Sequence, residues 1–278
     1  MSNECSAPRG AFSPQPSSLI PLMSLTLITY LAPSLPEELF RRIADRIRNA
    51  TSLPTHLLFE TRISGPLEGE PEPFSSAVAD VGFVCSPSFR WLRTRGIVEL
   101  LPVAVPSDPR ANGRPVYFSD VVVPASSTAR SIHDLLHAEW VCNDTHSLSG
   151  FFVIQERLGA IEGAQPRFRF SGSHLQSIAL IAAGVAEAAA IDSNVLRIEL
   201  ARRPELAAKV RIVDAWGPRP MQPTIVRTSL DPHVKQAIAA ALLSIDRRDL
   251  EPFGFQGFAH AEEASYVNVL TGQGVGSG

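Results

Sequence analysis

The stretch Asn143–Gly150, N-D-T-H-S-L-S-G, is followed closely by a second of similar character, S-G-S-H at Ser171–His174. Each reads as the end of a strand or turn that passes directly into a helix. The first turn of a helix leaves N–H groups unpaired and carries partial positive charge. Two such starts aimed at one point, flanked by Ser hydroxyls, would make a receptor for a small anion.

Outward from these stretches the chain alternates strands with helices. Toward the N-terminus, Ser24–Leu31 reads as a buried strand. It is followed by a helix at Pro36–Ala50, in which Leu39, Phe40, Ile43 and Ile47 recur at helical spacing. Thr55–Glu60, Ala79–Cys85 and Val116–Val123 read as strands, with an apolar run at Val98–Val105 and a Pro/Gly/Asn loop over Pro106–Pro115. A short helix near Ser131–Leu136 precedes a strand at Glu139–Asn143. Helices are predicted at Ser149–Gly159, His174–Ala183, Val195–Ala201 and Pro232–Ile245, and strands at Val210–Ala215 and Thr224–Thr228. Gly217–Pro223 reads as a connector, because its prolines forbid helix. This order predicts an α/β fold with mostly parallel sheets, whose ligands bind outside the carboxyl ends of the strands.

The chain has 278 residues, enough for one large domain or two lobes, with 45% apolar and 19% charged residues. Its net charge of −3, without any basic run, argues against a nucleic-acid surface. Cys5, Cys85 and Cys142 form neither a C-x-x-C pair nor a disulfide framework. Residues 1–23 read as a disordered tail. Met1 to Ser18 lacks the apolar core of a secretory signal, and Leu19 to Ala32 is too short and too interrupted to span a bilayer.

Seven motifs occur in one order: Thr29–Pro33 (T-Y-L-A-P), Asp80–Cys85 (D-V-G-F-V-C), Tyr117–Val123 (Y-F-S-D-V-V-V), the two helix-start stretches, Ala188–Ser193 (A-A-A-I-D-S) and Gly217–Pro223 (G-P-R-P-M-Q-P). The series resembles the phosphate/phosphite/phosphonate-type solute-binding proteins of ABC transporters, over roughly Leu25 to Tyr266. The resemblance implies a two-lobed, type II periplasmic-binding fold with two hinge crossings, near Ser119–Val122 and Gln222–Ile225. One lobe would comprise residues 24–118 and 225–278, the other residues 119–224. It further implies a phosphoryl-type ligand held by Ser147, Leu148, Ser149, Gly150, Ser173 and His174, faced by Tyr30 and Phe89 and rimmed by Asp192 and Gln222. Leu148 stands where many relatives have Thr, and Phe89 where Tyr is common, which points to a ligand less polar on one side, or to weaker binding. The expected partners are a small oxyanion and an ABC permease, with no nucleic acid, no cofactor, no metal and no direct membrane insertion. The family works in the periplasm or at the cell surface. The missing signal leaves the cytoplasm open as well.

Plainer roles compete at each position. Ser147 and Ser173 are ordinary helix caps by residue type, and Asp192 can cap a helix at Ser193. Asn143–Asp144 suits an Asx turn. His174 beside an anion is expected to favour its charged form. His133 and His137 are four apart on one helical face, but Asp134 replaces the Glu of an H-E-x-x-H metal motif. S-L-S-G lacks the leading Gly of a nucleophile elbow, and Cys85 in its apolar strand is expected to be buried. Two other functions fit the same cleft: an intracellular ligand sensor, and, by fold analogy alone, an enzyme of small-heterocycle synthesis. The enzyme would need a cleft lysine or metal cluster, and neither Lys209 nor Lys235 belongs to a cleft motif.

Overall fold

The computed structural model describes residues 23–266 apart from positions 33, 62 and 63. Apart from residue 23, the tail read over 1–23 lies outside them, as do residues 267–278 of the first lobe. In chain order the strands begin with β1 (Leu25–Thr29), β2 (Thr55–Phe59), β3 (Val81–Phe83), β4 (Val98–Leu100), β5 (Val103–Pro106) and β6 (Val116–Pro124). They continue with β7 (Glu139–Cys142), β8 (Arg167–Phe170), β9 (Ala189–Asp192), β10 (Val210–Pro220), β11 (Thr224–Arg227) and β12 (Phe255–Ala259). The helices are α1 (Glu37–Thr51), α2 (Ser86–Thr94), α3 (Val153–Gly159), α4 (His174–Ala182), α5 (Ser193–Arg202), α6 (Pro204–Ala207), α7 (Pro232–Leu243) and α8 (Arg247–Leu250).

α1 shows how pattern becomes packing. Its periodic residues Leu39, Phe40, Ile43, Ala44 and Ile47 are buried, while Glu37 and Arg41 pair on the solvent side. Acidic Glu37 and Glu38 occupy its first turn, where they complement the helix dipole. The buried face meets Leu25, Leu27, Val81 and Phe83 of the first sheet.

That sheet has the order β2-β1-β3-β11-β4. β1 pairs parallel with β2 and with β3, and β11 enters antiparallel to both β3 and β4. The second sheet, β10-β6-β9, is antiparallel throughout. β7 and β8 pair in parallel beside it, linked through a bridge from Trp140 to Ala188. The sheets are therefore mixed, and the expectation of mostly parallel pairing is corrected. The chain runs out along β6 and back along β10, and two strands that travel out and back side by side must be antiparallel.

The expected connector at Gly217–Pro223 is also revised. β10 continues to Pro220, with irregular register between Trp216 and Arg219. Prolines survive there because β10 lies at the sheet edge, where a missing N–H disrupts little. The Val98–Val105 run divides into β4 and β5, which join different sheets.

Each sheet builds its own core. Trp140, Val121, Val123, Ile154 and Trp216 pack around the second, with the two indoles 5.9 Å apart. α5 serves both sides: Val195 and Ile198 join the first core, and Leu196 packs with Val122 and Ile191. Beside the start of β6, Arg110 grips Asp120 and Asp108, each at 2.7 Å, and stacks on the Phe118 ring. Among the described residues no helix is long and apolar enough to cross a membrane.

Candidate functional site

A cavity of about 40 Å³ lies between the two sheets, on the scale of three water molecules. Tyr30, Leu31, Ser34 and Leu35 reach it from the turn after β1, and Ser64 and Cys85 from the loops flanking β3. From the other side come Asn143, Ser147, Ser149 and His174, with Val195 and Gln222 at the crossing. The walls also touch directly. Ser64 donates to Asp144 at 3.2 Å, and Cys85 packs on Leu148 and Phe152.

The helix start at Ser147 opens with a wide turn over Leu148–Phe152 before α3. The Ser147 hydroxyl accepts from the Gly150 N–H at 3.0 Å, so it caps the turn and keeps its own proton to donate. Ser173 caps α4 in the same way, accepting from the Gln176 N–H at 3.2 Å. Its neighbour His174 points back to Ser149, Oγ to Nε2 2.9 Å. Beside this pair, burial holds the Tyr117 phenol protonated, its ionisation driven well above the usual range. His174 Nδ1 is buried without a protein partner, and the donor in the Ser149–Nε2 bond follows the ring tautomer, with the proton on Nδ1 when Ser149 donates.

Burial pulls the His174 pKa down to about 4, so without an anion the ring is neutral at pH 7. The expectation of a charged imidazole does not describe this state, because desolvation meets no compensating negative charge. Among the described residues no Lys or Arg lines the cavity.

Two carboxylates stand just behind the wall and fix its amides. Asp144 accepts from Asn143 Nδ2 and from the His146 N–H, both at 2.7 Å, which closes the Asx turn read in the sequence. Burial raises the Asp144 pKa. Asp192 caps α5 by accepting from the Asn194 and Val195 N–H groups at 2.8 and 3.1 Å, and it accepts from Gln222 Nε2 at 2.6 Å. Burial pushes its pKa up to about 6. Asp192 thus stands behind the cavity wall, held to it through Gln222 and Val195.

Five of the residues singled out in the sequence line the cavity: Tyr30, Ser147, Ser149, His174 and Gln222. Five others stand outside its lining. Phe89 is in the core, edge-on to Tyr266 at 5.1 Å. Leu148 turns its side chain to Cys85, and Ser173 and Asp192 act as caps. Gly150 lies in the angle between Asn143 and His174, where a Cβ would come within 1.9 Å of Asn143 Oδ1.

Sequence reading missed Ser64, Asn143 and Cys85 as wall residues. Asn143 could have been found, because it adjoins the cap motif. Ser64 carries no local signal. Cys85 is buried as expected, and its thiol is pushed up to about 12 by burial against the opposing N–H groups of Leu148 and Ser86. It stays protonated and unreactive near neutral pH.

A family model described as "ABC transporter, phosphonate, periplasmic substrate-binding protein" matches residues 26–266. The chain belongs to this family. As a phosphonate-family substrate-binding component it serves a transporter and is not an enzyme, which sets aside heterocycle synthesis. Such components bind a small ligand and work with a permease.

Solved structures agree in fold, which is of the type II periplasmic-binding class. PhnD1 from Prochlorococcus marinus, in complex with methylphosphonate, is 14% identical at TM-score 0.72, covering 88% of this chain and 95% of its own. A binding protein component of an ABC phosphonate transporter from Pseudomonas aeruginosa is 14% identical at TM-score 0.70, covering 87% and 83%. XAC2383 from Xanthomonas citri, bound to ATP, is 18% identical at TM-score 0.61, covering 87% and 92%. Among curated proteins no sequence matches.

Proposed function

We propose that this family member binds a small phosphoryl-type oxyanion, a phosphate, phosphite or phosphonate, in the cavity between its sheets and delivers it to an ABC permease. One observation carries the reading. The cavity wall draws Tyr30 from one side and Ser147, Ser149 and His174 from the other, so hydroxyls, a helix start and an imidazole share one small volume. The Ser147 proton, the N–H groups of the turn and His174 Nδ1 are the donors offered to the anion. Methylphosphonate in the Prochlorococcus relative supports the same ligand class.

The division into residues 24–118 plus 225–278 and residues 119–224 belongs to this proposal. Strand pairing supports it, since β11 returns to the first sheet while β6, β9 and β10 make the second. The hinge lies along β6 and between β10 and β11. Closure about it buries the anion and removes competing water.

A thermal-shift screen with phosphate, phosphite, methylphosphonate and sulfate tests the reading, because a true ligand raises the melting temperature by mass action. At least one phosphorus anion is expected to stabilise the protein. His174→Ala should weaken that ligand by roughly 1.5–3 kcal/mol, the range for a hydrogen bond to a charged group. Silence across the panel, or full affinity in the variant, would refute the proposed site.

A further inference from the structure

Ser64 stands in a backbone conformation that suits glycine better than serine. Its φ is 72°, in the left-handed region, and Gly65 follows it at 101°. The loop lies tight against the start of α2, where a Cβ on Gly65 would come within 2.7 Å of Ser88 Oγ. Two backbone bonds fix it further. The Ser64 N–H donates to the Tyr30 carbonyl at 3.3 Å, and the Ser64 carbonyl accepts from the Cys85 N–H at 2.7 Å. Ser64 thus ties together the two segments that bring Tyr30 and Cys85 to the cavity. A non-glycine residue held in this region points to a use for its side chain.

The Ser64 hydroxyl reaches the opposite wall. It lies between the two Asp144 oxygens, 3.2 Å from Oδ2 and 3.4 Å from Oδ1. Those oxygens also accept from Asn143 Nδ2 and from the His146 N–H, both at 2.7 Å, so Asp144 is a fixed target. The neighbouring contact of Cys85 with Leu148 and Phe152 is apolar and non-directional, and it tolerates sliding. A hydrogen bond does not, since it weakens steeply with stretch and misalignment. Movement of the two walls apart has to break it.

Resting on the hinged cavity proposed above, we infer that Ser64 and Asp144 form a latch that holds the two walls together before any ligand arrives and slows the release of what the cavity holds. Shared between two oxygens at these distances, the bond is weaker than a single straight one. It therefore biases the closed population without locking it. A net hydrogen bond corresponds to about a two- to tenfold change in the ratio of closed to open molecules.

Small-angle X-ray scattering on the ligand-free full chain reads the latch without any assumption about the ligand. Ser64→Ala removes the hydroxyl and keeps the left-handed strain. Ser64→Gly removes both, so an expansion shared by the two variants does not come from a damaged loop. Each variant should show a larger radius of gyration than the wild type. Stopped-flow release of methylphosphonate should be faster in both by about two- to tenfold, the same change in the closed-to-open ratio. Superimposable ligand-free profiles together with equal release rates would overturn the latch and leave the anion site standing. Variants that expand while methylphosphonate binds neither them nor the wild type would support the latch and overturn the anion reading.

Discussion

His174 and Asp192 are buried ionisable groups whose shifts act in opposite directions. The His174 pKa is lowered from 6.5 to about 4, so between those values the unfolded chain binds more protons and stability is lost as pH falls. The Asp192 pKa is raised from 3.8 to about 6, so its contribution is present at low pH and is lost as pH rises through that window. The two slopes offset each other between roughly pH 4 and 6. Asp192→Asn removes one of them and keeps a capping oxygen for α5. Its unfolding free energy should fall more steeply than the wild type's from pH 6.5 to 4, measured by urea titration at each pH. Parallel profiles would show that Asp192 is not shifted as described. At this scale much of the candidate cavity wall was legible, because Ser147, Ser149 and His174 sit in short motifs whose local geometry is set by neighbours in sequence. Ser64 and Cys85 were not, since tertiary folding alone brings their loops to the wall. Phe89 was expected at the ligand and instead packs on Tyr266, an aromatic partner from the other end of the described chain that no local pattern reveals.

The wide turn over Leu148–Phe152 works because its third residue has no side chain. A Cβ on Gly150 would lie 1.9 Å from Asn143 Oδ1 and 3.0 Å from His174 Cε1. Asn143 cannot retreat cheaply, since Asp144 holds its amide. Gly150→Ala should therefore destabilise the protein by about 1–3 kcal/mol, as overpacking does, and displace the wall that Asn143 and His174 form. Gly159 closes the following helix beside open space, with nothing within 4 Å of an added methyl, so Gly159→Ala should be neutral or slightly stabilising. Equal denaturation midpoints for the two variants would count against the close approach. Elements with strong periodicity, such as α1, could be read directly. The antiparallel run of β6 with β9 and β10 could not, because strand direction depends on where the chain returns and leaves no mark on the alternation of side chains. The same holds for β10 beyond Gly217: its prolines argue locally against a strand, and only its edge position permits one.

At the scale of the whole molecule, two sheets share α5 and are bridged across the cavity by Ser64 with Asp144 and by Cys85 with Leu148. Those bridges join segments that lie far apart in the chain, and they bring two rows of polar side chains around a volume of about 40 Å³. Under the function proposed above, this space holds a compact tetrahedral anion that enters by opening at the proposed hinge strands. The most direct measurement is a crystal structure of the protein with methylphosphonate. The phosphonate oxygens are expected within hydrogen-bond distance of Ser147, Ser149 and His174, opposite Tyr30. A ligand bound elsewhere, or an empty cavity in crystals saturated with methylphosphonate, would contradict that assignment.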